Sequence, residues 1–112
     1  MKRLYFIALL VSGFLNSVVL HYSLDIKDTN IKGQINCEYG ESVSVPDEHY
    51  LIHFTVEQNS DSESVTIRGE ISRDGNHISS PVIIAKYDQA ASLRIGSDIE
   101  DVLDLSLKVT KD

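Results

Sequence analysis

Apolar residues recur at every second position along most of this chain, and that alternation limits what it can fold into. Leu20, Tyr22, Leu24 and Ile26 alternate with His21, Ser23 and Asp25. The same spacing returns at Ile31, Ile35 and Cys37, at Val43 and Val45, and at Ile52, Phe54 and Val56. It continues at Val65, Ile67 and Ile71 and ends with Leu103, Leu105, Leu107 and Val109. A period of two sends alternate side chains to opposite faces of a strand, so each run predicts one buried and one wet face. Past the amino-terminal segment, no stretch sustains a helical stripe of period 3.6. Between the runs lie DTN, EYGES, PDEH, QNSDSES, RDGN, KYDQ and GSDIED, all rich in turn formers. About seven short strands at this spacing predict an all-β fold, a small antiparallel β-sandwich or barrel-like sheet.

Two hairpins can be paired residue by residue. Asp74-Gly75 suits the centre of a two-residue type I′ turn. Running the ladder from there without a break sets Ile71 against Ile78, Gly69 against Ser80, Ile67 against Val82 and Val65 against Ile84. That register puts Pro81 opposite Arg68 in a non-hydrogen-bonded pair, where its missing N–H costs the preceding strand no bond. The far side of Pro81 is then a sheet edge or a local break. After Tyr87-Asp88-Gln89 the inward parity switches, and Ala91, Leu93 and Ile95 match Leu103, Leu105 and Leu107 across a loop at 97–101.

The amino end reads MKRLYFIALLVSGFLNSVVL, with Lys2 and Arg3 before an uncharged run over 4–20. A basic start, an apolar stretch and small residues at its exit predict a signal peptide over 1–17. Val11-Ser12-Gly13 is a competing cleavage site. A single β-sheet domain over 18–112 follows. The apolar run is broken by Ser12, Gly13, Asn16 and Ser17 and falls short of the roughly 20 apolar residues of a membrane span. Cleavage and export to the periplasm or beyond are therefore expected. The alternative is an inner-membrane anchor formed by an uncleaved amino-terminal segment.

Removing Lys2 and Arg3 from 10 basic residues leaves 8 against 17 acidic ones, a formal charge of −9. No Lys/Arg cluster offers a phosphate-binding surface, so no nucleic-acid partner is expected, and no membrane insertion once the signal is cleaved. Cys37 is the only cysteine, so no intrachain disulfide forms, and its parity with Ile31 and Ile35 predicts a buried thiol.

Few residue patterns suggest chemistry. His49 and His53 are four apart, but on a strand that is roughly 13 Å, too far to share a metal. Asp98, Glu100, Asp101 and Asp104 crowd one loop, and Asp61 and Glu63 another, without the spacing or glycine of an EF-hand. No nucleophile elbow, paired-carboxylate motif or phosphate loop is present. Catalytic residues, metals and cofactors are not expected. Tyr39, Tyr50 and Tyr87, read as exposed near turns, are candidate partner-binding residues together with Pro81 at the edge.

Ile78-Ser79-Ser80-Pro81, Asp88-Gln89, Ala91 and Gly96 resemble the ISSP…NQ-x-A…G segment of bacterial secretins, the ring-forming outer-membrane channels of secretion and pilus systems. Asp88 stands where that family often has Asn. In secretins this segment belongs to the strand-rich channel wall. The resemblance covers under a fifth of the chain and implies a bacterial, envelope-facing β-protein. The chain is too short for ring domains plus a barrel wall, so it does not imply a channel. These observations together predict an exported, non-catalytic β-domain that acts as a binding, accessory or assembly module with an envelope protein partner. The alternatives are an acidic inhibitor or immunity-like protein that blocks a basic target, and a small hydrolase. Residue patterning does not set the oligomeric state.

Overall fold

The computed structural model describes residues 17–26, 29–96 and 102–111. The segment expected to be a signal peptide lies outside them except for Ser17, as does the 97–101 loop. The described residues are all-β, and the strands follow the alternating runs. They are β1 (Ser17–Ile26), β2 (Thr29–Glu38), β3 (Ser42–Pro46), β4 (Tyr50–Gln58), β5 (Ser64–Arg73), β6 (Asn76–Ser79), β7 (Val82–Lys86), β8 (Ala91–Ile95) and β9 (Leu103–Lys111). Nine strands replace the expected seven or so, partly because the return arm of the Asp74-Gly75 hairpin divides into β6 and β7. β1 begins inside the uncharged amino-terminal run, and Val18 and Leu20 are fully buried. The end of that run therefore belongs to the domain.

The strands form two antiparallel sheets. One has the order β2-β1-β9-β8; in the other β3, β4 and β5 follow in turn, with β6 and β7 both paired to β5. Within the sheets the pairings β1–β2, β3–β4, β4–β5, β5–β6 and β8–β9 join consecutive strands, and β9 returns to pair with β1. The chain is thus a sandwich with the strand order of an up-and-down barrel. Among the described residues no ladder joins β2 to β3 or β7 to β8, and the chain turns from sheet to sheet at those two corners.

One face of each sheet supplies the core. Leu20 and Leu24 of β1 and Leu103, Leu105, Leu107 and Val109 of β9 meet Ile52, Phe54 and Val56 of β4 and Val65, Ile67 and Ile71 of β5. The Tyr22 and Phe54 rings pack with centroids 6.1 Å apart. Removing this apolar area from water is the main force holding the sheets together, at roughly 25 cal/mol per Å2. Cys37 is buried as its parity predicts, and burial pushes its thiol pKa up to about 11. The β8–β9 hairpin has the expected register: Ala91 faces Leu107, Leu93 faces Leu105, and Ile95 faces Leu103.

The other hairpin departs from expectation. Asp74 and Gly75 both have positive φ, 47° and 84°, as a type I′ turn requires, and Arg73 faces Asn76. A β-bulge between Ile71 and Ser72 then shifts the ladder by one residue. Ile71 faces Ser79, Arg68 faces Val82, Ile67 faces Ile83, and Val65 faces Ala85. A slip of one residue exchanges the two faces of a strand. Ile83 and Ala85 therefore enter the core, and Val82 and Ile84 face solvent.

Gly69 explains this register. It leaves a space under β7 that buried Pro81 fills, and a Cβ on Gly69 would lie 3.2 Å from Pro81 Cγ and 3.4 Å from Phe54 Cε1. The Gly69 N–H donates to the Pro81 carbonyl at 2.8 Å. A bonded antiparallel pair normally exchanges two such bonds, and Pro81 has no N–H to return. Pro81 thus leaves one ladder bond to β5 unmade, contrary to the unbroken register.

Candidate interaction edge

Two backbone bonds bracket β7 and fix which of its groups face outward. Gly69 N–H donates to Pro81 at one end, and Tyr87 N–H donates to the Glu63 carbonyl at 3.4 Å at the other. Bonding alternates along an antiparallel strand, so Ile83 and Ala85 direct their N–H and C=O groups at β5. Val82 and Ile84 direct theirs away from it. The Lys86 N–H also points outward, while its carbonyl accepts from Gln89 N–H at 3.3 Å. Among the described residues nothing pairs with the Val82 and Ile84 backbone groups.

The side chains at those positions are also uncovered. Among the described residues four large apolar side chains are exposed, Leu51, Ile78, Val82 and Ile84, and three of them lie along the β6–β7 arm. Ile84 is the most open, at 70%. An unpaired edge carrying apolar side chains is a template for another strand, and proteins ordinarily blunt such edges. The edge strands β2, β3 and β8 expose no large apolar side chain. The outer face of β2 carries Asn30, Lys32, Gln34, Asn36 and Glu38. β3 is five residues long and ends at Pro46. β8 is equally short, and its Arg94 binds Asp104 at 2.7 Å, which holds the Asp104 carboxyl below its ordinary range. On the β6 half the bulge interrupts the arm, and His77 hydrogen-bonds Ser80 at 2.7 Å.

The sequence-selected residues do not assemble into one patch. Pro81 is buried over Gly69 and does not present its ring to solvent. Tyr50, expected to be exposed, is in the core at 6% exposure, with the Arg73 guanidinium 5.8 Å above its ring. Its parity with Ile52, Phe54 and Val56 turns it inward. Tyr39 and Tyr87 are half-buried, and their hydroxyls hydrogen-bond each other. Each follows the strand before a corner, so their bond ties the β2–β3 corner to the β7–β8 corner. Gly40 N–H donating to Val56 and Asp88 N–H donating to Val109, both at 2.9 Å, bind the same corners to the opposite sheets. Lys111 Nζ lies 4.8 Å from the centre of the Tyr87 ring. Burial first, and then the bond to Tyr87, raise the pKa of Tyr39.

The groups considered for metal chemistry have structural roles. His49 lies 3.5 Å from Asp74, while His53 pairs with Ser44 at 2.9 Å on the outer face of the second sheet. Asp61 accepts from the backbone N–H groups of Glu63 and Ser64 and from the Ser64 hydroxyl, closing its own loop. Those bonds lower its pKa. Asp98, Glu100 and Asp101 lie outside the described residues. A shallow depression lined by Ser42, His53, Thr55, Arg68 and Glu70 opens on a flat sheet face.

Sequence reasoning missed Val82 and Ile84 because it turned both inward. No family model matches this chain, and no curated protein or solved structure matches it either.

Proposed function

We propose that this protein is an exported, non-catalytic β-domain that works as a binding or assembly module in a bacterial envelope, making its contact through β7. One observation carries the reading: β7 combines an unpaired backbone edge with the exposed side chains of Val82 and Ile84. Strand addition uses both features, with main-chain bonds giving affinity and alternate side chains giving selectivity. The basic start and apolar run over 4–20 support export, and the secretin-like segment over 78–96 spans this same strand. The inner face of the sandwich is filled by packed apolar side chains, and its polar side chains serve turns and sheet faces.

A photo-reactive side chain at Ile84, compared with one at Gln34 on the β2 edge, tests the proposal in cells exporting the full chain. Cross-linked products from position 84 and not from position 34 are expected. Equal yields at the two positions, or none at 84, would sink it.

A further inference from the structure

We infer that the strand seated on β7 is β7 of a second copy of this chain, running antiparallel about a two-fold axis at Ile83. This rests on the reading of β7 as the contact edge and names its occupant. The register follows from the groups that face outward. With the axis at Ile83, Val82 of one copy lies opposite Ile84 of the other, and the reverse holds on the far side of the axis. These are the residues whose N–H and C=O groups β5 leaves free, so each pair exchanges both backbone bonds. A two-fold interface must be self-complementary, and this edge is. On the outer face the Val82 and Ile84 side chains of both copies form one apolar strip, closed by cross-strand contacts. Inside, Ile83 faces its own counterpart.

Charge selects the same occupant. The chain carries a formal charge of −7, and most approaches of two copies would bring carboxylates together. No Asp or Glu occurs between Asp74 and Asp88, the longest acid-free interval after Asp25, and β7 lies within it. In the proposed register Lys86 lies opposite Ser80 of the second copy, so no like charges oppose across the ladder. On this edge two copies of an acidic protein meet without opposing carboxylates across the ladder. β7 has only five residues. The joined edges therefore bury less than the roughly 1,200 Å2 of a stable standard interface. The dimer is accordingly weak, with a dissociation constant in the micromolar range or above, and added salt strengthens it by screening the net repulsion.

Sedimentation velocity of the exported chain from about 1 μM to about 1 mM reads the association directly. The expected result is a monomer–dimer shift that moves to lower concentration as salt rises. Ile84→Asp, a change at an exposed position that should leave the circular dichroism spectrum unaltered, should weaken the dimer at least about tenfold by placing a charge in the strip. Gln34→Asp on β2 should leave it unchanged. A mixture of Val82→Cys and Ile84→Cys copies, both with Cys37→Ala, should form the mixed disulfide in preference to either self-disulfide. Dimerisation insensitive to Ile84→Asp, or equal yields of self-disulfides, would overturn the inference. A chain monomeric throughout whose position 84 cross-links a different protein would overturn self-pairing and leave the contact edge standing. A monomer with no cross-link at 84 would overturn both.

Discussion

β2 and β7 both have an outer edge bonded to no other strand, yet they meet solvent in opposite ways. β2 is ten residues long, pairs with β1 along its whole length, and turns amides and charges outward. β7 is half that length and turns Val82 and Ile84 outward. A long edge would be the more hazardous of the two if both were apolar, and it is the long one that is polar. The apolar side chains of β7 are thus not an averaged property of the surface. They sit on the edge where the bulge and Pro81 have already set the register.

The largest effect expected from breaking this contrast is on β7 itself, between adjacent residues. Ile83→Ala should cost about 2–5 kcal/mol because it empties a core position. Ile84→Ala should stay within about 0.5 kcal/mol. Urea denaturation of the two variants measures both, and the reverse order would restore the unshifted register. Next come two glycines, Gly69 opposite Pro81 at the start of the β7 arm and Gly33 within β2. Gly69→Ala should destabilise by about 1–3 kcal/mol, since its methyl would press on Pro81 and Phe54. Gly33→Ala should stay within about 0.5 kcal/mol. Its methyl would lie 2.7 Å from the Tyr22 hydroxyl oxygen and 3.1 Å from Cζ, so the far end of that half-buried side chain must shift, a cost that the lost glycine flexibility offsets. A larger loss at Gly33 than at Gly69 would contradict the packing described.

A smaller effect concerns the corners that end β2 and β7. Tyr87→Phe removes the bond to Tyr39 and should cost about 1 kcal/mol by thermal unfolding. Adding Tyr39→Phe should cost little more, because the bond is already gone. The smallest effect is at Asp61, in the loop before β5. Its depressed folded-state pKa stabilises the fold above the ordinary aspartate value of about 3.9, and that contribution is lost as pH falls through the lower folded value. Asp61→Asn should therefore be less stable than wild type at neutral pH, with the gap closing in acid. A gap that persists unchanged through the acid range would show that the carboxylate is not the cause.

The β8–β9 hairpin could be read from sequence because only one parity is apolar: Ser92 and Arg94 alternate with Ala91, Leu93 and Ile95. The run Pro81-Val82-Ile83-Ile84-Ala85 is apolar at both parities, so periodicity alone could not choose its inner face. A contact between distant residues makes that choice, the seating of Pro81 over Gly69 against Phe54. Tyr50 was legible and misread, since it shares the parity of Ile52 and Phe54. The pairing of Tyr39 with Tyr87 was not legible, because it depends on two corners far apart in sequence meeting in space. Pro81 pointed to the right edge for the wrong reason. Its missing N–H faces β5, and the open groups belong to its neighbours.

Residue-resolved amide hydrogen exchange as a function of protein concentration tests the β7 edge most directly. In dilute protein, the Val82 and Ile84 amides should exchange rapidly while those of Ile83 and Ala85 are protected by β5. Raising the concentration should slow Val82 and Ile84 selectively. Protection of Val82 and Ile84 in dilute protein, with rapid exchange at Ile83 and Ala85, would contradict the register and the interaction edge built on it.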